Sequence, residues 1–121
     1  MIVDDEPSLR LLLAQYLKGH YEVIAAASGE EALELLKTNT PHGLVIDLNM
    51  EGMSGLEVIK KLRASEKWRL LPIIVLSSND TSHDRIEALR TGADDYLVKP
   101  FNPEELEVRL EVIRRRAPVK L

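Results

Sequence analysis

The chain contains no cysteine, which excludes disulfide bridges and thiolate chemistry and leaves its redox compartment unassigned. No apolar stretch approaches the roughly 20 residues needed to cross a bilayer, and the N-terminus lacks the basic, apolar and small-residue regions of a signal peptide. A membrane partner is therefore not expected, and a cytoplasmic setting is compatible. There is no excess of positive charge either. The formal net charge of -4 gives no general attraction to nucleic acid or anionic lipid, and the one basic run, Arg114 to Arg116, falls where it complements the dipole at the end of a helix. Internal repeats, low-complexity tracts and Gly-rich nucleotide loops of the P-loop or dinucleotide type are all missing. The three histidines, His20, His42 and His83, are far apart in the chain and lack the spacing of a metal site.

What remains is the composition of a folded chain, 45% hydrophobic and 30% charged over 121 residues, a length that suits one domain spanning 1–121. Short apolar runs alternate with longer stretches of helical spacing, the mark of βα units around a parallel sheet. The expected strands are Ile2-Val3, Tyr21 to Ala26, Leu44 to Ile46, Ile73 to Leu76 and Tyr96 to Val98. Their continuous apolar character suits strands covered on both faces. In the first helix Leu9, Leu12, Leu13, Tyr16 and Leu17 form a stripe expected to face the core. Three later helices open with capping sequences, Ser28-x-x-Glu31, Ser54-x-x-Glu57 and Asn102-Pro103-x-Glu105. The fourth helix, about Ser82 to Thr91, is expected to bury Ile86 and Leu89 and to end at Gly92 in a left-handed conformation. Trp68 is expected to anchor the loop before the fourth strand. The first strand is short for a parallel strand, so further upstream residues are expected, and Arg116-Ala117-Pro118 reads as the exit from the last helix.

Ligands of an open parallel α/β sheet bind beyond the carboxyl ends of its strands, near the point where strand order reverses. Those positions hold Asp4-Asp5-Glu6 after the first strand, Asp47 after the third, Ser77 after the fourth and Lys99 after the fifth. Singly, each has an ordinary reading as a solvated turn, a cap or a surface lysine. Together they put three carboxylates on one rim, where they repel one another unless a cation sits among them, and hard oxygen donors favour Mg²⁺ or a similar ion such as Mn²⁺. One divalent ion and the Lys99 ammonium nominally balance Asp4, Asp5 and Asp47. A carboxylate nucleophile, a metal, a cationic side chain and a hydroxyl donor are the parts that phosphoryl transfer needs.

Ile2-Val3-Asp4-Asp5-Glu6-Pro7, Val45-Ile46-Asp47-Leu48, Ile73-Ile74-Val75-Leu76-Ser77 and Gly92-Ala93-Asp94-Asp95-Tyr96-Leu97-Val98-Lys99-Pro100-Phe101 resemble, in order and spacing, the motifs of response regulator receiver domains. The resemblance covers nearly the whole chain. It implies a flavodoxin-like α/β fold, a doubly wound five-stranded parallel sheet of order 2-1-3-4-5, and a cis Lys99-Pro100 bond. It implies a signalling switch phosphorylated on Asp47 by a histidine kinase or phosphotransfer protein, with Mg²⁺ held by Asp5, by Asp4 through water, by Asp47 and by the backbone carbonyl of Asn49. Ser77 would bond a phosphoryl oxygen, Lys99 would pair with the acyl phosphate, and Tyr96 matches the switch aromatic; the plainer alternative is a half-buried ring with its hydroxyl in water. The fourth helix, fifth strand and fifth helix are most similar to receivers of the winged-helix transcription-factor class. That likeness implies a phosphorylation-promoted homodimer in which Arg85 meets Glu105 and Asp95 meets Arg109 across a two-fold axis, the alternative being surface charge or pairing within one chain.

Many receivers carry proline four residues after the phosphoacceptor, where this chain has Glu51, whose carboxylate is expected to be solvated. Asn49 and Asn79 flank the expected site. Two other functions compete: a Mg²⁺-dependent aspartyl phosphohydrolase, against which Asn49 stands where a second catalytic Asp would be needed, and a degenerate receiver serving only as a binding module, against which the complete acid, hydroxyl and lysine set stands.

Overall fold

The computed structural model describes residues 1–115; the helix exit expected at Arg116, Ala117 and Pro118 lies outside the described residues. The elements run β1 (Ile2–Val3), α1 (Pro7–Leu17), β2 (Ala25–Ala26), α2 (Gly29–Leu35), β3 (Leu44–Asp47), α3 (Gly55–Ala64), β4 (Ile73–Ser77), α4 (Ser82–Thr91), β5 (Asp95–Val98) and α5 (Pro103–Arg115). All strand pairs are parallel and the order is β2-β1-β3-β4-β5. Among the described residues no helix is long and apolar enough to cross a membrane.

Alternate strand residues point to opposite faces, and the core divides accordingly. Leu44, Ile46, Ile73, Val75 and Tyr96 join Ala32, Leu36, Val58, Ile59, Leu62 and Ala88 from α2, α3 and α4 and the loop that ends α2. Val45, Ile74, Leu76 and Leu97 join Leu13, Leu17, Leu106 and Ile113 from α1 and α5. Trp68 packs against the first of these cores, as expected. The three capping sequences work as read: Ser28 accepts from the Glu31 N–H, Ser54 from that of Glu57 and Asn102 from that of Glu104. Gly92 closes α4 at φ 135°, and Lys99-Pro100 is cis.

Three expectations need correction. The strand expected over Tyr21 to Ala26 reduces to Ala25–Ala26, because β2 is an edge whose sole neighbour, β1, offers only Ile2 and Val3 as partners. In α1 the core stripe is Leu9, Leu13 and Leu17, while Leu12 is 50% and Tyr16 40% exposed. One step along a helix turns about 100°, which carries those two off the line that meets the sheet. In α4, Ile86 and Leu89 are 48% and 41% exposed, and the residue that α4 buries is Ala88. The small side chain lets α4 lie close to α3 and β5, and the larger apolar residues face outward.

The tightest approach is at Gly55, the first residue of α3. A Cβ there would overlap the carbonyl oxygen of Asp47 and come within 2.9 Å of Leu48 Cα. Both obstacles are backbone at the end of β3, so Gly55→Ala should cost about 1–3 kcal/mol in urea unfolding. Gly19→Ala, with nothing within 4 Å of its Cβ position, is the control and should change stability little. Equal stability of the two variants would show that the close approach carries no cost.

Candidate functional site

The switch point lies between β1 and β3, from which the chain departs in opposite directions. Asp4 follows β1 and Asp47 ends β3; Ser77 ends β4 and Lys99 follows β5. The parallel register pairs Val3 with Ile46, Asp47 with Leu76 and Ser77 with Val98, so the polar residues emerge side by side at one rim. Asp4, Asp47 and Ser77 are the buried polar side chains of the molecule among the described residues.

The Lys99 Nζ donates to Asp4 Oδ2 at 3.0 Å and to Asp47 Oδ2 at 3.3 Å. Asp4 Oδ1 accepts the Glu6 N–H at 2.9 Å, Asp47 Oδ1 accepts the Asn49 N–H at 3.2 Å, and Arg10 donates to the Asp4 carbonyl at 2.7 Å. Asp5 is exposed, and its Oδ2 accepts the Glu51 N–H at 3.3 Å. Asp4, Asp5 and Asp47 can each bring an oxygen within 4.8 Å of the other two. This set of hard oxygen donors fits a divalent cation. Glu51 is exposed, as expected, and reaches the site through its backbone rather than its carboxylate.

Ser77 Oγ accepts the Asn79 N–H at 3.0 Å, so its own O–H keeps its donor role. The Tyr96 hydroxyl donates to the Asn79 carbonyl at 2.7 Å, and the ring is 7% exposed. The half-wet ring is therefore set aside. Arg85 lies over that ring, 5.5 Å from its centroid, and pairs with Asp80 at 2.6 Å. Arg109 pairs within the chain with Asp95 at 2.8 Å and Glu105 at 3.0 Å. Of the four residues on the expected dimer face, Asp95 and Arg109 thus meet inside one chain, and Arg85 engages Asp80 instead of Glu105.

Several contributors escaped the sequence reading. Arg10 gave no signal, whereas Thr81, which caps α4 through the Asp84 N–H, was legible as Thr81-x-x-Asp84. Arg63 pairs with Asp94 across 31 positions of sequence, which no local pattern reveals. His83, read as isolated, lies on α4 within reach of Asp84 and Glu87, an exposed group away from the rim.

Burial pushes the Asp47 carboxyl above its ordinary value; the Asn49 N–H and the Lys99 charge oppose this, and the neighbouring Asp4 charge reinforces it. Burial would lower the Lys99 ammonium, but its hydrogen bond to Asp4 and the charges of Asp47 and Asp4 outweigh this and raise it. The two directions are compatible because Lys99 is shared: it gains from two acids, and Asp47 has only part of one cation. An acid raised in the native state binds its proton more tightly than in the unfolded chain. Its contribution to stability therefore falls as pH rises from the unfolded carboxylate value through the native one. At neutral pH the ionised Asp47 is a net cost. Asp47→Asn should raise the melting temperature by a few degrees at neutral pH in chelator, with the gain fading as pH falls into the carboxylate range, where wild-type Asp47 is also neutral. Circular dichroism melts across that range check this, and a lower melting point for the variant at neutral pH would contradict it.

The family model for the response regulator receiver domain matches residues 1–111. The chain is 39% identical over 120 residues to the alkaline phosphatase synthesis transcriptional regulatory protein PhoP of Bacillus subtilis (strain 168), covering 98% of this chain and 49% of that protein. It is 44% identical over 117 residues to the probable transcriptional regulator ycf27 of Porphyridium aerugineum, covering 96% and 48%. The chain thus spans about half the length of the curated relatives it matches. Among solved structures, a putative response regulator from Chloroflexus aurantiacus J-10-fl is similar at a TM-score of 0.90 and 39% identity over 95% of each chain. The chemotaxis response regulator CheY4 of Vibrio cholerae is similar at 0.87 and 34% identity, over 93% of this chain and 94% of that one. The family match runs from the first residue into α5 and takes in all four strand ends that carry the polar rim, so the chain belongs to the response regulator receiver domain family of two-component signalling.

Proposed function

We propose that this domain, which we take to span 1–121, accepts a phosphoryl group on Asp47 from a histidine kinase or phosphotransfer protein, with a divalent cation, and thereby switches the state of a larger cytoplasmic regulator. As a receiver the chain is a signalling module rather than a turnover enzyme. The observation that carries the reading is the buried Asp47 carboxylate held between the Lys99 ammonium and the other rim acids.

In the proposed transfer an Asp47 carboxylate oxygen forms a bond to phosphorus as the bond from phosphorus to the donor's imidazole nitrogen breaks, and the imidazole keeps the electron pair. Asp4, Asp5, Asp47 and the Asn49 carbonyl would hold Mg²⁺ or Mn²⁺. When bound, the ion supplies positive charge against the acids and the phosphoryl oxygens. Lys99 adds a fixed positive charge beside the new acyl phosphate, and the Ser77 O–H donates to a phosphoryl oxygen. Tyr96 would report the change, since its hydroxyl holds the carbonyl of the residue whose N–H holds Ser77.

The curated relatives are named as transcriptional regulators, so control of transcription through a further domain is the output we propose for the whole protein. A phosphorylation-promoted dimer through α4, β5 and α5 belongs to the same proposal. It would require Arg85 and Arg109 to exchange or share the in-chain partners described above. Exposed ion pairs are each worth about 0–1 kcal/mol, so such an exchange is inexpensive and would set register more than affinity.

Acetyl phosphate with Mg²⁺ should add one base-labile phosphoryl group, detected by intact mass, and Asp47→Asn should abolish it; peptide mapping that put the group on Ser77 or His83 would sink the assignment. Mg²⁺ should raise the melting temperature by binding the native state, and Asp5→Ala should remove most of that rise. Beryllofluoride, a phosphoryl mimic, should increase the mass seen by light scattering, and Arg109→Glu should reduce that increase. A mimic-bound protein that stays monomeric at high concentration would end the dimer proposal.

A further inference from the structure

The rim acids differ in how the fold holds them. Asp4 is gripped by Lys99 and the Glu6 N–H, and Asp47 by Lys99 and the Asn49 N–H. Asp5 is exposed, and its carboxylate accepts a hydrogen bond from the backbone of Glu51. The aim of that carboxylate therefore depends on where the loop between β3 and α3 sits. Met50 is buried in the core and Met53 packs against it, but Glu51 and Gly52 between them are exposed, and the chain passes through Gly52 at φ 77°, a conformation that glycine adopts readily.

The exposed turn between these two anchors is also held by a side chain from α2. Glu30 Oε1 accepts the Met53 N–H at 2.7 Å. A Cβ on Gly52 would lie 3.2 Å from Glu30 Oε2 and 3.3 Å from Oε1, so the carboxylate sits directly against the left-handed turn. Gly29 permits the approach, since a Cβ there would meet Val58 Cγ2 at 2.7 Å and Met53 Cβ at 3.2 Å. An unbroken path therefore runs from the Glu30 carboxylate to the Met53 N–H, through the Gly52 turn to the Glu51 N–H, and on to the Asp5 carboxylate.

We infer that Glu30 is a positioning residue for the cation site: by fixing the loop through the Met53 N–H, it sets the Glu51 N–H that orients Asp5. It touches neither the cation nor the phosphoryl group. An N–H to carboxylate bond is charge-assisted and about twice as strong as a neutral one, which suits a single side chain holding an exposed turn. The inference rests on the reading of Asp5 as a cation ligand proposed above.

The test compares Mg²⁺ binding by titration calorimetry, and Met53 amide hydrogen exchange in chelator, for wild type, Glu30→Ala, Glu30→Gln and Asp5→Ala. Loss of an outer partner bonded directly to a ligand typically weakens metal affinity by roughly 10-fold or more; Glu30 acts one step further out, so Glu30→Ala should lose several-fold, up to about 10-fold, and exchange its Met53 amide faster. Glu30→Gln keeps an acceptor oxygen but makes the weaker, neutral hydrogen bond, and should fall between wild type and Glu30→Ala in both measurements. If Glu30→Ala binds Mg²⁺ like wild type while Asp5→Ala does not, the inference is overturned and the reading of the site stands. If Glu30→Gln loses as much affinity as Glu30→Ala, Glu30 acts by its charge and the inference is likewise overturned. If wild type fails to bind Mg²⁺, or Asp5→Ala binds as well as wild type, the reading of the site itself fails and takes the inference with it.

Discussion

The Lys99 ammonium stands 3.0 Å from one buried carboxylate and 3.3 Å from another, and the chemistry of the rim depends on that shared charge. At an effective dielectric constant of about 20, each of these contacts is worth about 5 kcal/mol before desolvation, and two carboxylates 4 to 5 Å apart repel by roughly 3 to 4 kcal/mol. Three acids make three such repulsions, so two attractions bring the cluster near balance without removing its negative excess. Burial adds to this at Asp47, whose carboxyl is raised chiefly by desolvation, with the Asp4 charge reinforcing it, despite the adjacent lysine. A site in this condition gains from further positive charge, which is the property that a phosphoacceptor and a cation site share.

The same rim is joined to the surface through one backbone segment. Asn79 gives its N–H to Ser77 and its carbonyl to Tyr96, while its side-chain oxygen accepts the Thr81 N–H at the start of α4. Arg85 covers the Tyr96 ring and binds Asp80. In the proposed function, recruitment of Ser77 toward a phosphoryl oxygen would therefore disturb the loop that fixes the Tyr96 hydroxyl and the first turn of α4. Ser77 is fully buried, which leaves it few ways to move without its bonded neighbour.

The acids, the serine and the lysine were legible because a parallel sheet delivers the ends of its strands to a single edge, so strand recognition and polar ends suffice to predict their convergence. Strand order came from family likeness and not from periodicity. Other features were illegible for physical reasons. Spacing alone cannot separate Leu13 from Leu12, or Ala88 from Ile86, because the width of a buried stripe depends on what packs against it. The Arg63 to Asp94 pair and the Glu30 contact join elements far apart in the chain. Glu51 was legible as a departure from proline that bears on loop stiffness and local charge, with a solvated carboxylate expected. Spacing could not indicate that its N–H, the group that a proline lacks, bonds Asp5.

At the other end of the strands a second set of contacts ties α3, α4 and β4 together. Asp94 Oδ2 accepts both the Ile73 N–H, where β4 begins, and Arg63 from α3. Arg63 also donates to the carbonyls of Gly92, Trp68 and Arg69. One guanidinium thus ties the end of α3 to the end of α4 and to the loop entering β4. Burial lowers its pKa only part of the way, against the opposing pull of Asp94, and a guanidinium in that position stays charged at any physiological pH. The C-terminal end of α4 is therefore pinned by contacts indifferent to rim chemistry, while its N-terminal end hangs on Asn79, next to Ser77. In the proposed function, a helix fixed at one end and joined to Ser77 through Asn79 at the other would turn a small change at Ser77 into a change of angle. The face it would turn is the one carrying the exposed Ile86 and Leu89.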